Sequence, residues 1–159
     1  MKKIPLTQGK FALVDDDDFE HLSQWRWNLV RGYAARQGRR EVVNGKIKRE
    51  AVYMHSYIVK APKGKLTDHI NGIVLDNRRQ NLRIATRSQN GMNMKKVRGR
   101  SKYKGVYWDH FSKKWRSGIK VNRKTIHIGR YDDEKKAAES YNFAAIKHFG
   151  EFASLNIIQ

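Results

Sequence analysis

The chain has 159 residues, the length of one ordinary domain or two small ones, which excludes a large multidomain enzyme. Lys and Arg number 34 against 15 Asp and Glu, a formal charge of +19 that marks a polyanion as the partner. Hydrophobic residues at 39% and aromatic residues at 11% exclude a disordered basic tail, and the lack of cysteine excludes disulfides, thiolate metal sites and a cysteine nucleophile. Met1-Lys2-Lys3 is followed by no leader-like apolar stretch, and no run of about 18 apolar residues occurs, so the expected place is the cytoplasm, away from membranes.

In chain order, Lys10 to Val14 and Arg26 to Val30 read as short strands. Between them, Asp15 to Asp18 precede a helical turn over Phe19 to Ser23, where carboxylates suit a helix N-terminus better than they converge on a metal ion. Asn44-Gly45 separates two apolar-containing runs and predicts a hairpin over Glu41 to Lys48. Trp25, Trp27, Tyr33 and Tyr53 are the expected small core of this mostly stranded region. Met54 to Lys60 reads as a short helix stopped by Ala61-Pro62-Lys63-Gly64; His55 on it is read as structural, the commoner fate of a lone histidine, with a supporting place near a functional site as the alternative. Lys95 to Lys104 is six-tenths Lys or Arg and reads as a linker. Beyond it, Tyr103 to Trp108, Trp115 to Val121 and Lys124 to Tyr131 read as three strands. A helix follows from Asp132 or Asp133 to before Gly150, with Ala137, Ala138, Tyr141, Ala144, Ala145 and His148 on one face.

The stretch Leu66-Thr67-Asp68-His69-Ile70-Asn71-Gly72 joins a strand to a turn, Asn81 to Thr86 supplies a second strand, and Thr86 with Gln89 forms a capping box that places Asn90 on the first turn of a helix. For any one of these residues a turn or cap role is the commoner explanation. The ordered set Asp68-His69, Asn71-Gly72, Asp76-Asn77-Arg78-Arg79, Asn81-Leu82-Arg83 and Ser88-Gln89-Asn90 resembles the ββα-metal motif of phage and intron HNH homing endonucleases, in the variant with Asn at the third position. The resemblance implies that Asp68 and Asn90 bind one divalent cation, magnesium with manganese as the alternative, that His69 is the general base, and that Asn81 braces the loop and orients His69. The chemistry asks for such groups: imidazole titrates near neutrality, and a hard cation neutralises charge on the phosphate and the leaving oxygen.

Alternation along the three C-terminal strands gives an outer face of Arg116, Lys120, Thr125 and His127, extended by Lys104 and Tyr107, opposite a core face of Trp115, Ser117, Ile119 and Val121. From Tyr103-Lys104-Gly105-Val106 to Leu155-Asn156 this half resembles the APETALA and ethylene-response-factor DNA-binding domain, in which Arg and Trp on the sheet read DNA. Here Lys104, Tyr107, Lys120, Thr125 and His127 stand at comparable places.

The fold expected is α+β. A nuclease module spans 1–94 with its ββα core over 66–94, a basic linker spans 95–102, and a three-stranded antiparallel sheet on one helix spans 103–159. The function expected is a metal-dependent, site-directed DNA endonuclease of the homing type. It acts as a monomer on double-stranded DNA without a protein partner, nicks one strand per active site, and works in a bacterial or phage-infected cell. The rivals are a non-catalytic sequence-specific DNA-binding regulator and an RNA-binding protein, the latter usually displaying aromatic residues on an open sheet.

Overall fold

The computed structural model describes residues 1–94 and 100–159, with Glu41, Val43 and Lys48 given by backbone alone. Helix and strand are mixed, and the chain divides into two compact units, Met1–Arg87 and Ser88–Gln159. Residues 95–99 of the expected linker lie outside the described residues.

The first unit opens with β1 (Lys2–Pro5), a strand the sequence reading lacks because Ile4 is its only buried residue and leaves no alternation to read. It pairs antiparallel with β2 (Phe11–Val14), whose Ala12 and Val14 face inward. Helix α1 (Asp16–Ser23) carries Asp16, Asp17 and Asp18 in its first turn, where the helix dipole favours negative charge, and buries Leu22. The Trp27 indole N–H donates to the Leu22 carbonyl at 2.9 Å and seats that ring in the core, so the next strand, β3 (Asn28–Val30), starts two residues later than expected. With β4 (Tyr33–Val43) and β5 (Lys46–Tyr53) it forms an antiparallel sheet in that order. Asn44 and Gly45 have φ of 51° and 71°, the two-residue turn their side chains favour. Helix α2 (Met54–Val59) ends where Lys60 turns left-handed and its N–H reaches the Ser56 carbonyl.

Ile4, Val14, Leu22, Trp27, Met54, Ile58 and Leu82 are the larger members of this unit's core. Of the four aromatic residues expected there, only Trp27 takes part. Trp25 is 42% exposed with the Arg36 guanidinium 4.1 Å over its ring, because it follows α1 before any strand can turn it inward. Tyr33 and Tyr53, at the adjacent ends of β4 and β5, are half-buried outside the core.

Strands β6 (Leu66–His69) and β7 (Leu82–Ala85) pair antiparallel, with Asp68 opposite Arg83 and His69 opposite Leu82. A 3-10 turn over Arg79–Asn81 precedes β7, so Asn81 sits just ahead of the strand in which it was expected. Helix α3 (Arg87–Asn93) follows β7, giving the order strand, loop, strand, helix.

In the second unit, β8 (Val106–Asp109), β9 (Lys114–Val121) and β10 (Lys124–Tyr131) form an antiparallel sheet with β9 central. The first of these begins three residues after Tyr103, which is buried in a turn. Helix α4 (Glu134–Phe149) is capped by Asp133, whose carboxylate accepts from the Lys136 N–H, and packs Ala137, Ala138, Tyr141, Ala144 and Ala145 toward the sheet. His148, expected on that face, is exposed, and the last turn buries Phe149 instead. Small side chains let helix and sheet approach so closely that a Cβ on Gly105 would lie 2.0 Å from the Tyr141 ring.

Candidate active site

His69 ends β6, and the segment from it to Asn81 is held at many points. The Ile70 N–H donates to the Asn81 carbonyl and the Gly72 N–H to the His69 carbonyl. Asn81 clamps the loop from inside: its Oδ1 accepts from the Asn71 N–H at 3.0 Å and its Nδ2 donates to the Asp76 carbonyl at 2.8 Å. Buried Asp76 accepts both nitrogens of the Arg78 fork at 2.7 Å and Asn71 Nδ2 at 2.9 Å. Chiefly through the Arg78 hydrogen bonds, its carboxyl is held below the usual carboxylate range.

The loop is also tied to the start of the chain. Leu13 on β2 donates its N–H to the Leu75 carbonyl and accepts from the Asn77 N–H, each at 2.8 Å. The acidic run that reads as a helix start has a second role: Asp15 accepts the Arg79 N–H and Asp18 takes the Arg79 guanidinium in a two-point pair at 2.7 and 2.8 Å.

Asp68 and His69 are each 5% exposed. The Asp68 carboxylate is paired with the Arg83 guanidinium across the strands at 2.9 Å. His69 Nε2 lies 3.3 Å from the Oδ1 of Asn77, itself 1% exposed. An amide oxygen only accepts, so this contact places the proton on Nε2 and the basic lone pair on Nδ1. Burial pushes the imidazole below its ordinary value, opposed by the Asn77 contact and the Asp68 and Asp76 charges, so the ring is neutral and able to accept a proton.

Two rings adjoin it, His55 with its centroid 5.1 Å away and Tyr33 at 6.3 Å, and Tyr53 stacks on His55 at 5.6 Å. His55, for which a place near the site was the alternative to a structural role, therefore touches the central histidine. Burial and the neighbouring His69 push it down to about 4.

The residues expected to hold a metal are Asp68, in the first unit, and Asn90, half-buried on α3 and in the second unit. Among the described residues no group of three or more His, Asp or Glu could hold an ion. A carboxylate and an amide oxygen are each hard donors of the kind magnesium and manganese take alongside water and phosphate oxygens.

On the sheet of the second unit, Tyr107 pairs across the ladder with Arg116, Lys120 with Thr125, and Gly118 with His127, so five of the six expected contacts share one face. Lys104 does not join them. It is half-buried, and its ammonium donates to the Met92 carbonyl of α3, while its backbone bonds the Asn156 amide on both sides. Burial pushes its pKa down to about 8.

A bulge between His127 and Gly129 reverses the alternation of β10, so Arg130 stands opposite Arg116 on the outer face. Strict alternation from Thr125 and His127 misses it. Asp109 lies 3.5 Å from Arg130 and 4.0 Å from Arg116, and the Arg116 guanidinium lies 5.3 Å from the Tyr107 ring centre.

Residues 60–92 match the HNH endonuclease family. An uncharacterized HNH endonuclease of Acanthamoeba polyphaga mimivirus is 29% identical over 154 residues, covering 95% of this chain and 77% of the viral protein. An ethylene-responsive transcription factor of Arabidopsis thaliana is 38% identical over 61 residues, 37% of this chain but 14% of the plant protein. The segment that holds β6 and β7 thus matches the HNH endonuclease family, and nearly the whole chain is similar to the viral HNH endonuclease.

Proposed function

We propose that the protein is a metal-dependent, site-directed DNA endonuclease of the homing type that nicks one strand of duplex DNA per active site. The observation that carries this reading is His69: buried, neutral, with its Nε2 facing an amide oxygen at the end of a braced strand.

His69 Nδ1 takes a proton from water as the oxygen forms a bond to phosphorus, and the bond to the 3′ oxygen breaks; that oxygen takes a proton from solvent, leaving a 5′ phosphate and a 3′ hydroxyl. Asp68 and Asn90 would hold the divalent cation, which supplies neutralisation of the charge building on the phosphate and the leaving oxygen. Asn77 keeps the proton on the far nitrogen of His69, and Asn81 fixes the loop that carries both. One set of such residues in a monomer cuts one strand at a time. The sheet of the second unit binds the DNA through Tyr107, Arg116, Lys120, Thr125, His127 and Arg130. The likeness to a plant transcription factor supports this assignment. No described helix is long and apolar enough to cross a membrane. The proposed place of action is the cytoplasm of a bacterial or phage-infected cell.

The deciding experiment incubates supercoiled plasmid with the full chain and magnesium or manganese, with chelator as control, beside His69→Ala and Asp68→Ala proteins matched for folding and DNA binding. Metal-dependent open circles from the native chain alone are expected. Binding without cutting, on plasmid and on a broad sequence library, would instead support the non-catalytic regulator, which the plant likeness favours.

A further inference from the structure

Resting on that nuclease reading, we infer that His55 is a positioning residue for His69: with Tyr33 and Tyr53 it forms an aromatic wall that fixes the plane of the general base.

The hydrogen bond from His69 Nε2 to Asn77 Oδ1 spans 3.3 Å, longer than a strong N–H···O contact. Such a bond fixes the tautomer and holds the ring plane loosely. The second restraint is the packed rings. His55 meets His69 nearly edge to face, at 73°, Tyr33 meets His55 at 5.4 Å and His69 at 6.3 Å, and Tyr53 lies almost parallel to His55, at 27°. Tyr33 and Tyr53 also meet edge to face at 5.9 Å, so the four rings close on one another.

The wall is anchored from behind. Tyr33 opens β4, Tyr53 closes β5, and His55 stands in the first turn of α2 next to the fully buried Met54. Neither tyrosine belongs to the hydrophobic core of the unit. Burial keeps the His55 imidazole uncharged, so it offers His69 a ring and no competing charge.

The test measures single-turnover nicking of plasmid by saturating protein with magnesium, for the full native chain, His55→Leu and His55→Phe, with DNA affinity measured in chelator. A misplaced base costs rate and leaves binding alone, so H55L should nick roughly 10- to 100-fold more slowly with affinity within about twofold. H55F, which restores a ring without an imidazole, should recover all but about threefold of the rate. The inference is overturned if H55L nicks like the native chain, if its loss lies in affinity, or if H55F is as slow as H55L. Should H55L fail to fold, Tyr53→Leu and Tyr53→Phe carry the same expectations through the ring behind His55. No cutting by the native chain would sink the nuclease reading itself, whereas native cutting with an unchanged H55L sinks this inference alone.

Discussion

His69 faces Asn77, whereas Asn81, four residues on, spends both ends of its amide on the backbone of the loop. The two substitutions should therefore separate. Asn81→Ala removes two hydrogen bonds from a buried site and should lower stability by about 2–3 kcal/mol in urea unfolding. Asn77→Ala should leave stability closer to native, because its Nδ2 is already buried without a partner, and should slow nicking about tenfold or more through loss of the His69 tautomer. The resemblance gave Asn81 both the bracing of the loop and the orienting of His69; Asn81 does the first, and the His69 contact belongs to Asn77. Which one reaches His69 depends on the Asn77 N–H bonding to Leu13, more than sixty residues upstream, a contact that local spacing does not encode. The same blindness hid most of the wall: a place near the site was the lesser alternative for His55, but Tyr33 and Tyr53 look like core residues until β4, β5 and α2 gather the rings beside His69.

His55 also gives the fold a pH dependence. Its folded pKa, about 4, lies below its ordinary 6.5, so both states are neutral above 6.5. As pH falls from there toward 4, the unfolded chain takes up a proton that the folded chain refuses, and stability is lost across that window. The gap corresponds to about 3 kcal/mol. Unfolding curves near pH 7 and near pH 4 should show the native chain losing about that much more than H55F; parallel losses would remove the assignment.

At the level of elements, alternation read the sheet of the second unit correctly until the bulge in β10. Trp115, Ser117, Ile119 and Val121 share the inner face as their spacing implies, and Thr125 stands across from Lys120 on the outer one. A bulge adds one residue without any side-chain signature, so the phase change that brings out Arg130 and turns Tyr131 against the core is invisible in a single sequence. If the outer face binds DNA, Arg130→Ala should weaken binding by about 1–3 kcal/mol, read by titration of labelled duplex, while Lys104→Met should weaken it far less because its ammonium is turned onto α3. The closeness of α4 to this sheet has its own test. Gly105 has a φ of +75° and no room for a methyl group beside Tyr141, so Gly105→Ala should cost about 3 kcal/mol or more in thermal unfolding.

Across the whole molecule, composition spoke for the partner and said less about where the chain divides. The basic run after Met94 reads as the boundary, yet the compact division falls at Arg87–Ser88, because Met92 of α3 packs against the cluster of Ile119, Tyr141 and Ala145. A single apolar side chain in a polar helix gives no warning of that. Several of the acidic residues are engaged inside the fold. Asp15, Asp18, Asp68, Asp76 and Asp109 are each engaged with arginine, either its backbone or its guanidinium, within their own unit, so they serve the fold and leave many other cations for phosphate. If about six phosphates are neutralised, the logarithm of affinity should fall with the logarithm of salt at a slope near −5, about a thousandfold between 50 and 200 mM. Duplex binding by the full chain in chelator, measured across that range, reads the slope directly. A slope near zero would mean that the charge does not meet the backbone, and the DNA reading of both units would have to be abandoned; a steep slope on random duplex as well as on a cut site would place specificity in the few side chains of the outer sheet face.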